Sequence, residues 1–275
     1  MRYLVIFVAI ISSSYLSAET SQPQTVHVAA YDYPPYFSVY SDKHLVGDIL
    51  QVLNERQQSY RFVLKEIPSK ARFKALSVDG CCHMMMFESN DWGWREQLPQ
   101  IQLTEPIVFG AERFVALRKQ HQQDMSFFEQ EGLRLGGISG YHYSFLDNVT
   151  DAQLLEDDHN VYLSLSHEIN VMMLLNGRLD VIMTHDEYLV QLRDETWFPR
   201  LLIHEQPFNT YQLHTLINGR KGFTTEHWQE VLKPLLDDGT LAQMFANYGL
   251  PWPAEPLLLP QPDARSVDTQ AETIR

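Results

Sequence analysis

The chain has 275 residues, with 35 acidic and 21 basic side chains and a formal net charge of −14. A chain of this length is long enough for about two domains, and it can bury most of its apolar surface without help from metals or disulfides. The excess of negative charge makes nucleic acid an unsuitable partner.

The first 18 residues have the composition of a secretory signal. Arg2 precedes an apolar run from Tyr3 to Ile11, and small residues follow as far as Ala18. The run is too short to span a membrane as part of the mature protein. We therefore expect cleavage after Ala18 and export, and removal of Arg2 takes the net charge from −14 to −15.

The only two cysteines, Cys81 and Cys82, are neighbours at the start of the apolar run 81–87. Such a run is typical of a strand buried in a parallel sheet. Neighbouring side chains of a strand point to opposite faces, so a bond between them would need a distorted turn. We expect two small, buried, reduced thiols.

Strand and helix patterns alternate along the chain, which is typical of an α/β protein with parallel sheets. Strands are predicted at 25–31, 60–68, 81–87, 112–119, 133–140, 160–166, 179–184, 201–205 and 210–218. Helices are predicted at 47–58, 69–80, from 141 onward, and at 166–178, 225–240 and 241–250. We expect Asp48 to cap the first helix and Gly80 to end the second.

This order predicts two α/β units connected by two crossing segments. We expect a signal peptide at 1–18, a first lobe at 19–115 plus 209–250, a second lobe at 116–208 and a Pro-rich C-terminal tail at 251–275. Each lobe is predicted to hold its own mixed or parallel sheet with helices on both faces. The common hydrolase, P-loop and zinc-protease motifs are absent, so no cofactor and no metal is expected.

Five motifs in order resemble the extracellular solute-binding proteins of family 3, which serve polar amino acid uptake. They are "YDYPPYF" with "VGDIL", an arginine followed by "LTEPIVFG", "RFVALRK" followed by "LGGISGYHYSF", "LLNGRLDVIMTHDEYL", and "LKPLLDDGTLAQMFANYGL". The resemblance covers roughly residues 26–250. It implies a two-lobed fold like that of type II periplasmic binding proteins. It also implies a monomer in the periplasm, without enzymatic activity, that closes on a small polar or amino-acid-like solute and delivers it to an inner-membrane ABC permease.

Two alternatives remain on the same fold. One is a periplasmic dehydratase acting on cyclohexadienyl acids, which needs a carboxylic acid held neutral in the cleft, and Glu88 and Glu105 are candidates for it. The other is a stand-alone sensing module that presents its bound state to a membrane signalling partner.

The resemblance and the strand ends together predict the ligand-binding residues. Arg95 is the expected clamp for a ligand carboxylate, and the helix start at Ser139 to Tyr141 is the expected second anion contact. The full predicted set is Tyr31, Tyr33, Tyr36, Phe37, Glu88, Ser89, Trp94, Arg95, Ser139, Gly140, Tyr141, His185 and Asp186. The tyrosines and Phe37 are expected to enclose the ligand side chain.

One position departs from the family pattern. The family's ammonium-binding Asp follows the Asp of "GR-x-D" by five residues, but the fifth residue after Asp180 is His185, and Asp186 comes one place later. A slip of one residue at a strand end turns a side chain to the opposite face. Either a bulge restores Asp186 to the cleft, or His185 faces the ligand, or neither does. Glu187 is a candidate cap for the helix that follows.

Overall fold

The computed structural model describes residues 22–118 and 124–252. The predicted signal peptide lies outside the described residues, as does the predicted tail from residue 253 onward.

The described residues form ten strands and eight α-helices. The strands are β1 (Gln24–Ala30), β2 (Tyr60–Glu66), β3 (Met84–Glu88), β4 (Gln102–Leu103), β5 (Val108–Leu117), β6 (Leu135–Ile138), β7 (Val161–Ser164), β8 (Val181–His185), β9 (Leu201–Ile203) and β10 (Asn209–Ile217). The helices are α1 (Leu45–Arg56), α2 (Arg72–Leu76), α3 (Trp94–Gln97), α4 (Ala152–His159), α5 (His167–Leu175), α6 (Asp186–Gln191), α7 (Thr225–Asp237) and α8 (Thr240–Asn247). Within these ranges, no helix has both the length and the apolar character needed to cross a bilayer.

All ten strands belong to one curled, mixed sheet, so the prediction of two separate sheets is wrong. Along the main path the order is β2-β1-β3-β10-β5-β8-β6-β7. The sheet is continuous because β5 and β10 are each long enough to pair with more than one neighbouring strand. The first part of β10 pairs antiparallel with β5, and its last part pairs antiparallel with β3. The rest of β5 pairs with β8, so continuous hydrogen bonding joins the two ends of the sheet.

The buried apolar residues nevertheless fall into separate clusters. The largest cluster draws its buried side chains from residues 26–108 and 211–250. The other three clusters draw theirs from residues 115–203. Helices α7 and α8 contribute Leu235 and Phe245 to the first cluster, so the C-terminal helices pack against the N-terminal part of the fold. We call the strands β1, β2 and β3 the first sheet half, and β6, β7 and β8 the second sheet half.

Two predicted helix boundaries are corrected by local hydrogen bonds. Helix α1 begins three residues before Asp48, because the His44 side chain accepts a hydrogen bond from the Gly47 N–H and caps the helix. Asp48 instead accepts a hydrogen bond from the Tyr248 hydroxyl of the segment after α8 (2.9 Å). Helix α2 ends at Leu76 rather than at Gly80.

The predicted helix after Gly140 is absent. Residues 144–146 form one short 3₁₀ turn, which ends at Asp147 in the left-handed conformation. The Tyr143 hydroxyl accepts a hydrogen bond from the Ile138 N–H (2.6 Å) and holds the segment back against the end of β6. The expected anion contact at a helix N-terminus therefore has no helix to provide it.

Cys81 and Cys82 form a disulfide bond, so the expectation of reduced thiols is wrong. Strand β3 begins only at Met84, three residues after Cys81. The two cysteines thus lie in the turn before the strand, where the alternation of side chains does not apply.

The role of β10 in the core gives a stability prediction. Leu216 is fully buried on β10, opposite Met85 of β3 and Leu103 of β4. Leu216→Ala should lower the free energy of unfolding by about 2–5 kcal/mol, because it leaves a cavity in the core. The same change at Leu236, which is 41% exposed, should cost under about 1 kcal/mol. Urea denaturation of both variants measures the difference, and equal losses would contradict the assigned core.

Candidate functional site

Polar and aromatic side chains meet where parallel strands of both sheet halves end. Tyr31 follows β1, and Glu88 is the last residue of β3. Gly140 and Tyr141 follow β6, and His185 is the last residue of β8. Ligand sites of open α/β sheets lie beyond such carboxyl ends. We call this region the inner cleft and define it by Tyr31, Tyr33, Arg72, Glu88, Trp92, Glu112, Tyr141, His167 and His185.

Aromatic rings fill most of the inner cleft. The Tyr33 ring lies 4.5 Å from that of His185, 5.7 Å from that of Trp92 and 6.2 Å from that of Tyr141, measured between centroids. Tyr31 stacks on Tyr33 at 6.4 Å. Two small cavities adjoin the rings, and each has a volume of about 10 Å³, room for at most about one water molecule. The inner cleft is therefore closed on its own side chains.

Direct hydrogen bonds hold the inner cleft closed. The Ser69 hydroxyl donates to the carbonyl oxygen of Ser139 (2.6 Å), and Arg72 Nη1 donates to the carbonyl oxygen of Gly140 (2.6 Å). The second guanidinium nitrogen of Arg72, Nη2, lies 2.9 Å from His142 Nδ1. Ser139 and Gly140 were expected to bind a ligand anion. Their carbonyl oxygens instead accept hydrogen bonds from Ser69 and Arg72.

Arg72 is the buried cation of the inner cleft, and sequence reasoning missed it. It is only 2% exposed and lies on α2, and its Nε finds no hydrogen-bond partner. Its position in the sequence could have indicated this role. Arg72 lies on the buried face of α2, together with Ala75 and Leu76. An arginine on the apolar face of an amphipathic helix is rarely buried without a partner.

Several carboxyl groups are buried around the inner cleft. Burial raises the pKa of Glu88, and the Arg72 charge partly opposes this rise. Burial also raises the pKa of Glu112 to about 7 and that of Asp32 to about 7. Desolvation disfavours the charged form, so these groups hold protons at a higher pH than free carboxyls do. The inner cleft therefore holds fewer negative charges than its composition suggests.

Glu187 is fully buried behind the inner cleft. Its Oε1 accepts a hydrogen bond from the Tyr36 hydroxyl (3.1 Å), and its Oε2 accepts one from the Tyr211 hydroxyl (2.7 Å). Burial raises its pKa to about 7. Gly110 of β5 makes room for this group, because a Cβ there would lie 2.3 Å from Glu187 Oε1 and 2.2 Å from the Tyr211 ring. Glu187 does not cap α6, since the N-cap of that helix is His185.

His185 ends β8 and Asp186 begins α6, and the two neighbouring side chains have different surroundings. Pairing of β5 with β8 is regular up to His185, so no bulge restores Asp186 to the inner cleft. The His185 ring contacts Tyr33, whereas Asp186 makes a two-pronged ion pair with Arg113 (Nε–Oδ1 2.7 Å, Nη2–Oδ2 3.2 Å). Arg113 also donates to the carbonyl oxygens of His204 and Glu205.

A larger cavity, with a volume of about 680 Å³, opens beside the connecting strands β5 and β10. Three predicted residues line it, namely Ser89, Arg95 and Asp186. The two charged residues among them already have partners. Asp186 pairs with Arg113, and the Asn90 amide oxygen accepts a hydrogen bond from Arg95 Nη2 (2.7 Å). Arg95 itself is exposed.

The remaining predicted residues belong to the core rather than to a cavity wall with free polar groups. Tyr36 stacks on Phe87 at 4.2 Å, and Phe37 packs against the ring of His44. Trp94 is fully buried, and its indole N–H donates to Glu88 Oε2 (2.8 Å). Trp94 thus positions Glu88 instead of facing a ligand.

His167 is a second histidine of the inner cleft that the sequence did not single out. It is 2% exposed, and its ring lies 4.8 Å from that of His185. Its Nδ1 lies 3.1 Å from the Thr184 hydroxyl, and its Nε2 has no partner. Within the described ranges, no group of three or more His, Cys, Asp and Glu side chains could hold a metal ion.

Comparisons with known proteins bear on the fold. No protein-family model matches the sequence, and no curated protein sequence matches it. Solved structures do match. An ABC uptake transporter substrate binding protein from Streptococcus pneumoniae with bound histidine gives a TM-score of 0.64 at 12% identity, over 82% of this chain and 92% of that one.

Two further structures agree with this match. The probable amino-acid ABC transporter extracellular-binding protein ytmK from Bacillus subtilis gives a TM-score of 0.58 at 15% identity, over 82% of this chain and 99% of that one. The GluR0 ligand-binding core from Nostoc punctiforme in complex with L-glutamate gives 0.61 at 13% identity, over 81% and 98%. The fold is that of the type II periplasmic binding proteins. The resemblance read from the sequence is thereby confirmed at the level of the fold.

The raised carboxyl pKa values give a pH prediction. A carboxyl whose pKa rises on folding stabilises the folded state at low pH, and this contribution is lost as the pH rises through the folded pKa. From pH 4.5 to pH 7, Glu187 alone should lower the free energy of unfolding by on the order of 3 kcal/mol. Glu187→Gln should flatten the dependence measured by urea denaturation across this range.

The exposed Glu55 provides the matched control, and Glu55→Gln should leave the pH dependence as it is in the unaltered protein. An unchanged slope in Glu187→Gln would mean that Glu187 is ionised in the folded protein at neutral pH.

Proposed function

We propose that the protein is a periplasmic solute-binding protein that captures a small polar or amino-acid-like solute in the inner cleft. The observation that carries the proposal is the set of buried polar atoms of the inner cleft that have no partner: Tyr33 Oη, Arg72 Nε, Glu88 Oε1, His167 Nε2 and His185 Nε2. They come from both sides of the cleft. An unpaired buried polar group costs about 1–3 kcal/mol, and a bound solute could satisfy several at once.

The inner cleft is a better candidate than the larger cavity beside β5 and β10. In that cavity, Asp186 has both oxygens bound by Arg113, and Arg95 is exposed and engaged by Asn90. A solute there would have to compete with existing pairs. The inner cleft instead offers free groups on Arg72 and His185, and opening it would admit a solute between aromatic rings.

On binding, the two predicted lobes would close on the solute. The first lobe consists of residues 19–115 plus 209–250, and the second of residues 116–208. The separation of the core clusters near residues 115 and 208 supports this division. The strands β5 and β10 would act as the hinge, because they alone on the main sheet path connect the halves. The closed form would then be presented, as a monomer, to an inner-membrane ABC permease.

Transport is supported by the names of similar structures, which include an ABC uptake transporter substrate binding protein. The predicted signal peptide supports the periplasm as the location. The GluR0 ligand-binding core has the same fold, so a sensing module that reports to a signalling partner is the alternative use of the same closure.

A thermal-shift panel tests the proposal. The protein, refolded to remove carried-over solute, is heated with amino acids, small organic acids, polyamines, short peptides and sugars. A solute at 100 times its Kd should add about 2.7 kcal/mol and raise Tm by about 5–10 °C. Arg72→Lys keeps the charge but loses the planar guanidinium, so it should abolish the shift.

Arg95→Lys is the matched control and should keep the shift. The reverse result, with the shift lost only in Arg95→Lys, would place the solute at the predicted Arg95 clamp in the larger cavity. If no compound in the panel raises Tm, solute binding itself is contradicted.

An enzymatic alternative has one observation in its favour. Glu88 is a buried carboxyl with a raised pKa near Arg72, as a general acid acting on a cyclohexadienyl acid would require. Glu105 is exposed and does not meet this requirement. Incubation with a cyclohexadienyl acid, followed by ultraviolet absorbance, tests for an aromatic product. We expect none, whereas turnover that Glu88→Gln abolishes would establish the dehydratase.

A further inference from the structure

The protonation state of His185 follows from its contacts. His185 is the N-cap of α6, and its Nδ1 accepts a hydrogen bond from the backbone N–H of Tyr188 (3.2 Å). A nitrogen that accepts a hydrogen bond from an amide carries no proton of its own. Burial lowers the pKa of His185 to about 3, so the ring is neutral. The same Nδ1 lies 3.3 Å from Glu187 Oε2. Glu187 carries a proton below its raised pKa of about 7 and can donate it to Nδ1, so both contacts are consistent with an accepting Nδ1. The one proton of the ring therefore lies on Nε2.

This N–H group is a buried donor without an acceptor. His185 is 1% exposed, and its Nε2 has no partner among the described residues. It belongs to the ring that contacts Tyr33 across the inner cleft. Arg72 Nε is a second unpaired donor of the same cleft. Both groups can hydrogen-bond only to an acceptor, such as a carboxylate, hydroxyl or carbonyl oxygen.

Carboxylates beside His185 cannot bind a ligand ammonium at this position. Asp186 has both oxygens bound by Arg113. Glu187 has both oxygens bound by the hydroxyls of Tyr36 and Tyr211. An ammonium group at Nε2 would meet a second N–H donor, and neither of these two adjacent carboxyl groups has an oxygen free to balance its charge.

We infer that His185 determines ligand specificity by donating its Nε2–H to an oxygen of the solute, and that the solute is a small hydroxy or carboxylic acid without an ammonium group at that point. The inference rests on the proposed solute binding in the inner cleft and names the class of solute. It departs from the amino acids bound in the similar structures, which include histidine and L-glutamate.

Matched solute pairs test the inference. Each pair joins an L-2-hydroxy acid to the L-2-amino acid with the same side chain: lactate and alanine, malate and aspartate, 2-hydroxyglutarate and glutamate, phenyllactate and phenylalanine. Thermal shift and calorimetry give the ratio of affinities within each pair. For the unaltered protein, we expect one hydroxy acid to bind at least tenfold more tightly than its amino partner.

His185→Asp and His185→Asn form the matched variants. Asp and Asn are both good N-caps, so both variants keep the start of α6. His185→Asp places a carboxylate at the position and should reverse the preference toward the amino acid. His185→Asn is neutral and should weaken hydroxy-acid binding about tenfold without that reversal. A purely structural role would change Tm of the free protein but leave the affinity ratio alone.

Each outcome decides between the two proposals. If an amino acid binds the unaltered protein more tightly than its hydroxy partner, solute binding stands and the role of His185 is overturned. An affinity ratio unchanged in His185→Asp would also overturn that role. If no acid or amino acid of these pairs binds, and nothing else in the wider panel raises Tm, both proposals fall.

Discussion

The antiparallel pairing of β5 with β10 is the constraint on which the rest of the structure depends. These two strands run from one sheet half to the other and keep their hydrogen bonds along the way. Consecutive residues of β5 face opposite sides, so Glu112 adjoins the inner cleft while Arg113 adjoins the larger cavity. At the change from β8 to α6, His185 likewise faces the inner cleft while Asp186 lines the larger cavity. The pairing of β5 with β10 thus determines which charged side chains line the inner cleft and which line the larger cavity.

Closure of the inner cleft brings together groups that stability alone would not select. The Nη donors of Arg72 hydrogen-bond to backbone oxygens, including those of Gly140 and Ser69, whereas its Nε has no partner. Buried carboxyls and imidazoles surround it, and desolvation shifts their pKa values in the direction that favours the neutral forms. Burying polar groups without partners destabilises a permanently closed core. It is less unfavourable at a binding surface that is exposed to solvent or solute for part of the time. The proposed solute binding would explain why these residues lie where the sheet halves meet.

Much of the fold could be predicted from the sequence, because alternating periodicities of strand and helix depend on local residues. The continuity of the sheet could not, since it depends on how β10 divides its pairing between β3 and β5. Local hydrogen bonds also escaped prediction. The hydroxyl of Tyr143 and the ring of His44 set backbone conformations that residue propensities did not indicate. The disulfide escaped because the start of β3 was placed three residues too early.

The candidate site was predictable only in outline. Strand ends pointed to Tyr31, Glu88 and Tyr141, and these residues do lie together, because carboxyl ends of parallel strands meet by topology. The question of His185 or Asp186 needed the register of β5 against β8, which no local pattern contains. Arg72 was overlooked because attention to strand ends leaves out a helix between two strands.

The position of Trp92 has an optical consequence. Its indole lies 5.7 Å from the ring of Tyr33 and 5.4 Å from that of Tyr211, and it is half-buried between them. Trp92 also lines a small cavity together with Tyr141 and His142, which follow β6. Indole emission depends on the polarity around the ring, so separation of the sheet halves at this cavity would change it. Trp94 and Trp228 are fully enclosed in the first core and would give a steady background. The chain therefore carries an intrinsic fluorophore at the place where the proposed opening would separate the two sheet halves.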